Sequence, residues 1–290
     1  MPDGISEVAG GSATAEIILE RASQDRLVKK HLGPVKYEDA TIRVGTGMSK
    51  GFYQWLSDTI VRRPVRKSGA FVSVDMSLKE IGRTEFRNAL VTEVEFPAAD
   101  ATSKDAAKIG VTIAPESTQW IRSGAKTGTK VTLAEDSTST KKWLPANFRF
   151  KIDGLSSGPQ FVSRIEPIKI KTKAVESAVG DARAYELVPG NVEYSNLVLT
   201  LPEARAEEFF KWYDDFVIKG NNDDAKEKSA TLEYLSANLQ QQYFQLSFKH
   251  VGIFRIEPVS AEPNGDAIRR VRVHLYFEDL AFTIGADAAN

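Results

Sequence analysis

The chain contains no cysteine, an absence that removes a disulfide framework, a thiol nucleophile and thiolate metal ligands together. Histidine is scarce as well. His31, His250 and His274 are the full set, and their scatter matches no metal-ligand spacing. Charge of one sign is also missing, because 38 Lys and Arg stand against 39 Asp and Glu for a net charge of −1. No whole-chain field exists to draw the protein onto nucleic acid or an anionic membrane, so any charge-driven partner must be met by a local patch. Apolar runs of the ~18 residues that a membrane helix needs do not occur. Met1 to Gly11 shows neither a basic leader nor an apolar core, so an export signal is not expected and a soluble, cytoplasmically made protein is.

What is present is ordinary globular composition, 42% hydrophobic and 27% charged over 290 residues. At ~150 residues per domain, that length suits about two domains. Internal repetition gives the division. Lys36-Tyr37-Glu38-Asp39-Ala40-Thr41-Ile42 parallels Glu193-Tyr194-Ser195-Asn196-Leu197-Val198-Leu199, with the tyrosines 157 positions apart. Phe52-Tyr53-Gln54-Trp55 parallels Phe209-Phe210-Lys211-Trp212 at the same offset of 157. Phe86-Arg87-Asn88-Ala89 then lies against Phe248-Lys249-His250-Val251, and Ile109, Val111, Ile113 against Val271, Val273, Leu275, both at 162. The second copy has therefore gained about five residues, most simply in the polar stretch Lys219 to Lys228. Tandem duplication is the reading: one domain over residues 1–122, a Thr, Ser, Gly and Lys-rich linker over 123–142, and a second domain over 143–285. Val131 and Leu133 alternate with polar residues inside the linker, which predicts a short strand at Thr129 to Leu133.

Within each copy the hydrophobic period is mostly two, as in Phe148, Phe150, Ile152, or Ile168, Ile170, Thr172. Half-buried antiparallel strands follow from that alternation. Only the tryptophan blocks change period. Ala206, Phe209, Phe210, Tyr213, Phe216 and Val217 fall at helical spacing, with Pro202 suited to a first turn. Ser49 is placed to cap a first-copy helix running to about Ile60. The fold class is mainly β (α+β): two tandem antiparallel β-sandwich or barrel domains, each with one inserted helix.

Gly45-Thr46-Gly47-Met48-Ser49-Lys50-Gly51 sits at a strand-to-helix junction, but Lys50 precedes the last glycine and Phe52 follows it, which matches neither dinucleotide nor Walker spacing. The pairs Asp214-Asp215 and Asp223-Asp224 lie in polar settings where nothing would raise a carboxyl pKa. No Gly-x-Ser-x-Gly elbow accompanies a histidine. The reading is a protein without enzymatic activity, cofactor or metal. Lys169, Lys171 and Lys173 on one strand face, with Arg269, Arg270 and Arg272 near the last strand, are the densest basic runs. The lysine strand lacks the interleaved aromatics that single-strand stacking needs. A solvated face or a neighbouring subunit's carboxylates account for these cations, and sequence-specific nucleic-acid binding is not expected.

In the second copy, Phe148-Arg149-Phe150-Lys151-Ile152-Asp153-Gly154, Phe161-Val162-Ser163-Arg164-Ile165, a long excursion to Leu187-Val188-Pro189-Gly190, then Tyr194-Ser195-Asn196-Leu197 and the Trp212 helix together resemble the contractile-phage tail tube family. The first copy shows Ile5-Ser6-Glu7-Val8-Ala9-Gly10 and Gly33-Pro34-Val35-Lys36-Tyr37 in matching places. It lacks the upstream Phe-x-Phe-x-Ile strand. The resemblance implies a structural, ring-forming component of the inner tube, or of a ring that initiates or terminates it, in a phage tail or contractile injection system. Its expected place is a virion or injection particle assembled in the bacterial cytoplasm. Implied partners are further copies, as three chains giving six domains or as six chains, and neighbouring tube or baseplate proteins, with no membrane. A monomeric tandem β-sandwich binding glycan or polypeptide is the alternative, for which Trp120 and Trp143 are the tryptophans outside the helices.

The same resemblance places the long hairpin where one ring grips the next. Lys173 to Arg183, and Glu20 to Lys30 in the first copy, are accordingly expected to be assembly loops. Their charged residues are Glu20, Arg21, Asp25, Arg26, Lys30, Lys173, Glu176, Asp181 and Arg183.

Overall fold

The computed structural model describes residues 5–21, 28–77, 79–122, 143–178, 185–259, 268–285 and 288. The chain is built mostly of antiparallel strands. The first half runs β1 (Ile5–Gly10), β2 (Ala13–Arg21), β3 (Val28–Tyr37), β4 (Ala40–Val44), helix α1 (Lys50–Ile60), β5 (Lys67–Val74), β6 (Glu80–Phe96), β7 (Ala99–Asp100), β8 (Ile109–Ala114) and β9 (Ser117–Arg122). The second runs β10 (Phe148–Ile152), β11 (Arg164–Ile165), β12 (Ile168–Ala178), β13 (Tyr185–Tyr194), β14 (Leu197–Pro202), helix α2 (Glu207–Tyr213), β15 (Lys228–Leu235), β16 (Gln242–Pro258), β17 (Arg270–Tyr276) and β18 (Asp279–Ile284).

Local sequence explains the elements. In β4, Ala40, Ile42 and Val44 are buried while Thr41 and Arg43 face out, the alternation of a half-covered strand. Ser49 caps α1, its Oγ accepting from Phe52 N at 3.2 Å, and Tyr53, Trp55, Leu56 and Ile60 form the buried stripe. Helix α2 differs from expectation at its start. Pro202 remains in β14, paired with Arg270, and a 3-10 turn over Glu203–Arg205 intervenes before the helix begins at Glu207. A wider π-type turn, Asp214–Ile218, extends α2 and buries Phe216.

Strand registers repeat between the halves. The pairs Ala40↔Ile113 and Val44↔Ile109 of β4 and β8 stand against Leu197↔Leu275 and Leu201↔Val271 of β14 and β17, the same offsets of 157 and 162. Ile17↔Leu32 in the β2–β3 hairpin stands against Ala174↔Pro189 in β12–β13, and both hairpins shift register just before those pairs. Gly82↔Arg122 stands against Phe244↔Ile284. Even the irregularities coincide. The long strands β6 and β16 each carry a bulge at which Asn88 and His250 adopt positive φ, 50° and 54°. The extra residues of the second half divide between two places, since the helix-to-strand connection spans 218–227 against 61–66 and the following turn 236–241 against 75–79.

The halves are joined. β12 of the second half pairs with β6 of the first (Ile168↔Phe96, Ile170↔Val94), and β11 pairs with β7 (Ile165↔Ala99). One eight-stranded sheet therefore runs β1-β4-β8-β6-β12-β13, with β5 and β9 also paired to β6, and the other, again of eight, runs β10-β15-β16-β17-β14-β11-β7, with β18 also paired to β16. Helix α1 packs across the junction, with the Tyr53 ring 5.4 Å from Phe244 and 6.4 Å from Phe282. A single buried cluster contains Tyr53, Phe96 and Ile113 together with Phe209, Phe244 and Leu275. The linker 123–142 and the strand expected at Thr129 to Leu133 lie outside the described residues.

Candidate functional site

The strand seam between the halves is the best-defined interface in the molecule. Its buried face is apolar, with Val94, Phe96, Ile168 and Ile170 enclosed. Its outer face is charged. Lys169 Nζ lies 2.9 Å from Glu95, and Lys171 Nζ lies 3.5 Å from Glu93. The Glu95 carboxylate beside it holds the Lys169 ammonium above its ordinary pKa. The neighbouring β7–β11 pair is fixed by Arg164, which donates to Asp100 at 2.5 Å and to Glu166 at 3.1 Å. The Thr102 hydroxyl, and after it Arg164, keep the Asp100 carboxyl below the usual range. Above the seam, Arg66 reaches from the first half to the second-half hairpin, donating to Glu186 at 3.2 Å and to the Leu187 carbonyl at 2.5 Å. At the helix end, Tyr194 Oη donates to Ile60 O at 2.9 Å, and the Arg62 guanidinium lies over the Tyr194 ring.

Lys169 and Lys171 are expected to face solvent or another subunit. They do stand on an exposed face, their side chains 44% and 60% accessible, and there they also meet Glu93 and Glu95 of the same chain, because β12 adds to β6 as the next strand of the sheet. Charge alternation on β6, Glu93 and Glu95 around Val94, was the available signal.

The corresponding edges at the two ends of the molecule carry no second strand among the described residues. β1 pairs only with β4, β2 only with β3, and Gly252–Pro258 of β16 only with β17. The β2–β3 hairpin forms a two-stranded sheet of its own, with Ile17, Leu19 and Leu32 exposed. A lone two-stranded ribbon is marginal in water, so this one has apolar surface in want of a cover.

No protein-family model matches the chain, and no curated protein matches it by sequence. Solved structures do. A chain of the anti-feeding prophage baseplate is matched over 47% of this chain and 90% of that one, at 12% identity and a TM-score of 0.36. A chain of the structure of the anti-feeding prophage tube-terminating cap is matched over 56% and 99%, at 12% identity and 0.35. Hcp1 from Flavobacterium johnsoniae is matched over 48% and 95%, at 7% identity and 0.29.

The expected assembly residues fall on the two hairpins. Glu20 and Arg21 end β2, Lys30 lies near the start of β3, and Lys173 and Glu176 lie on β12; Glu20, Arg21, Lys30 and Glu176 are regular paired strand, while Lys173 sits at the register shift between Thr172 and Ala174. Glu20 accepts from His31 Nε2 at 3.0 Å. Asp25, Arg26, Asp181 and Arg183 lie outside the described residues. Of the two tryptophans weighed for a binding face, Trp143 is buried, 5.1 Å from Tyr234 and 4.9 Å from Phe244, while Trp120 lies on the surface of β9. Glu227, His250 and Glu278 converge in the second half with donor atoms within 4.8 Å. Glu227 there accepts from Tyr276 Oη at 2.8 Å and bonds His250 Nδ1 at 2.9 Å. No described helix is long and apolar enough to cross a membrane.

Proposed function

We propose that the chain is a structural ring component of a contractile tail or injection apparatus, a tandem duplication of one tube-type unit over residues 1–122 and 143–285. The observation that carries this reading is the register repetition: strand pairs, bulges and positive-φ residues recur at offsets of 157 and 162, and the two units are already joined edge to edge. A unit that adds its strands to the next unit makes a head-to-tail contact, and such contacts close into rings or continue as filaments. Two units per chain make three chains the natural ring, with six units and three-fold symmetry. The resemblance of each copy to the tail tube family supports the same role, with further rings or baseplate proteins as partners and a phage or injection particle as the location.

Native mass spectrometry and micrographs of the purified protein at high concentration test the proposal. Rings with the mass of three chains are expected; a chain that stays monomeric at all concentrations would count against it.

A further inference from the structure

We infer that the seam inside the chain is repeated between chains: the free edge of β16 accepts residues 11–14, the segment that leads into β2, from a second copy, in a register fixed by the internal seam. This inference rests on the ring reading above and names its contact. Inside the chain the register is Lys171↔Glu93, Ile170↔Val94, Lys169↔Glu95 and Ile168↔Phe96. Moving β12 back by 157 and β6 forward by 162, the offsets seen in the other strand pairs, gives Thr14↔Arg255, Ala13↔Ile256, Ser12↔Glu257 and Gly11↔Pro258.

Burial argues for the same contact. Residues enclosed at the internal seam have exposed counterparts at the free ends. Ile165 is 0% exposed and its counterpart Val8 is 45% exposed; Tyr53 is 0% and its counterpart Phe210 is 39%. Val94 is fully enclosed, whereas Ile256 is half-buried. The chain thus holds one complete interface and the two separated halves of another. One backbone bond of the inserted segment already matches: Ser12 O accepts from Glu38 N at 2.9 Å, as Lys169 O does from Ser195 N at 2.9 Å, while Gly11 before it turns at φ 80°.

Charge fits in exchanged form. At the internal seam the cation is on the body, Arg66, and the anion on the hairpin, Glu186. At the counterpart positions the body carries Glu227 and the hairpin tip carries Lys29. A second copy of this chain therefore brings Lys29 toward Glu227 at the one place where the internal seam brings Glu186 to Arg66, while the Lys169–Glu95 and Lys171–Glu93 pairs have the uncharged-to-charged counterparts Ser12–Glu257 and Thr14–Arg255.

Because the protein has no cysteine, the register can be read by cross-linking. Singly substituted chains are mixed under oxidation: Ser12→Cys with Glu257→Cys, and Ala13→Cys with Ile256→Cys. Successive antiparallel pairs alternate between Cα separations of about 4.5 and 5.5 Å, both within disulfide reach. Both mixtures should yield a disulfide-linked species of doubled mass. A mixture slipped by one residue, Ser12→Cys with Ile256→Cys, points its sulfurs to opposite faces and should stay single-chain. Rings that assemble with no cross-link in either matched mixture, or that cross-link in the slipped one, overturn this seam and leave the ring reading standing. Chains that never associate overturn both.

Discussion

Helix α1 and helix α2 share a sequence pattern but occupy different surroundings. Trp55 and Trp212 are both buried, and each carries a lysine above its ring, Lys67 and Lys228. Yet α1 is packed against β18 of the other half, with Ser57 Oγ donating to Phe282 O at 3.2 Å, whereas α2 packs chiefly on β16 of its own half. The difference teaches that the apolar stripe of α1 serves two surfaces, one within its own half and one on the other, while that of α2 leaves Phe210 39% exposed. Only α1 finds the second surface inside the chain.

Paired substitutions at equivalent positions should break that likeness most. Tyr53 is enclosed among Phe52, Phe244 and Phe282, and its Oη donates to Gly45 O at 2.9 Å. Tyr53→Ala should cost about 3–5 kcal/mol, the range for emptying a large aromatic site. Phe210→Ala should cost the isolated chain under about 1 kcal/mol, since its ring is partly in solvent. Urea unfolding monitored by tryptophan fluorescence measures both. A single transition is expected for each variant, because one buried cluster spans the halves. Equal losses at the two sites would mean that α2 is as enclosed as α1 and has no further surface to give.

Much of this was legible in the sequence. The helices are marked by a change of period, β10 by the alternation of Phe148, Phe150 and Ile152, and the repeat by the tyrosine and tryptophan blocks. Those features are local, or compare one stretch with another, and a sequence displays both. The seam was not legible in the same way. Lys169 and Lys171 read as a solvated strand face, which they are, but a charged, outward-pointing row looks alike in sequence whether or not it also meets Glu93 and Glu95 across a strand. The bulge at His250 was not legible for a related reason: a bulge is an event of pairing, and its left-handed residue shows only when both strands are laid together. The long hairpins were legible as excursions, and the expected assembly residues Asp25, Arg26, Asp181 and Arg183 lie outside the described residues.

The two bulges sharpen the comparison at intermediate scale. Asn88 and His250 sit at positive φ in the same place on the same long strand, where a β-branched residue is sterically disfavoured. Asn88→Val and His250→Val should each destabilise by about 1–2 kcal/mol, the cost of forcing a side chain into the left-handed region. Glycine at either site should cost less, offset only by the lost bonds from Asn88 Nδ2 to Glu116 and from His250 to Glu227. Denaturant midpoints of the four variants provide the check. A large valine penalty at one site and none at the other would mean that the bulges are not equivalent in energy, whatever their register.

The smallest expected effect concerns a feature that only the second half has. Glu208, at the start of α2, accepts from the backbone N–H groups of Ser156, Ser157 and Gly158 at 3.2, 3.0 and 2.8 Å, and from Ser156 Oγ at 3.0 Å. Its counterpart in the first half is Gly51, which has no side chain to offer. The Gly158 amide, followed by the Ser157 amide and the Ser156 donors, lowers the Glu208 carboxyl from its ordinary value to about 2. A folded pKa below the unfolded one contributes stability above the unfolded value, and that contribution is lost as pH falls through the folded value. Stability from this clamp should therefore be complete above about pH 5 and drain away between about pH 4.5 and 2. Solvent screening of this partly exposed group limits the effect to about 1 kcal/mol. Glu208→Gln keeps the shape and removes the charge, so its midpoint should fall below that of the unsubstituted chain at pH 7 and converge with it near pH 2. Amide exchange at Ser157 and Gly158 locates the effect, since both N–H groups should lose protection in the variant while the α1 end of the molecule is unchanged. A constant difference between the two proteins across that pH range would show that Glu208 holds the segment by shape rather than by charge.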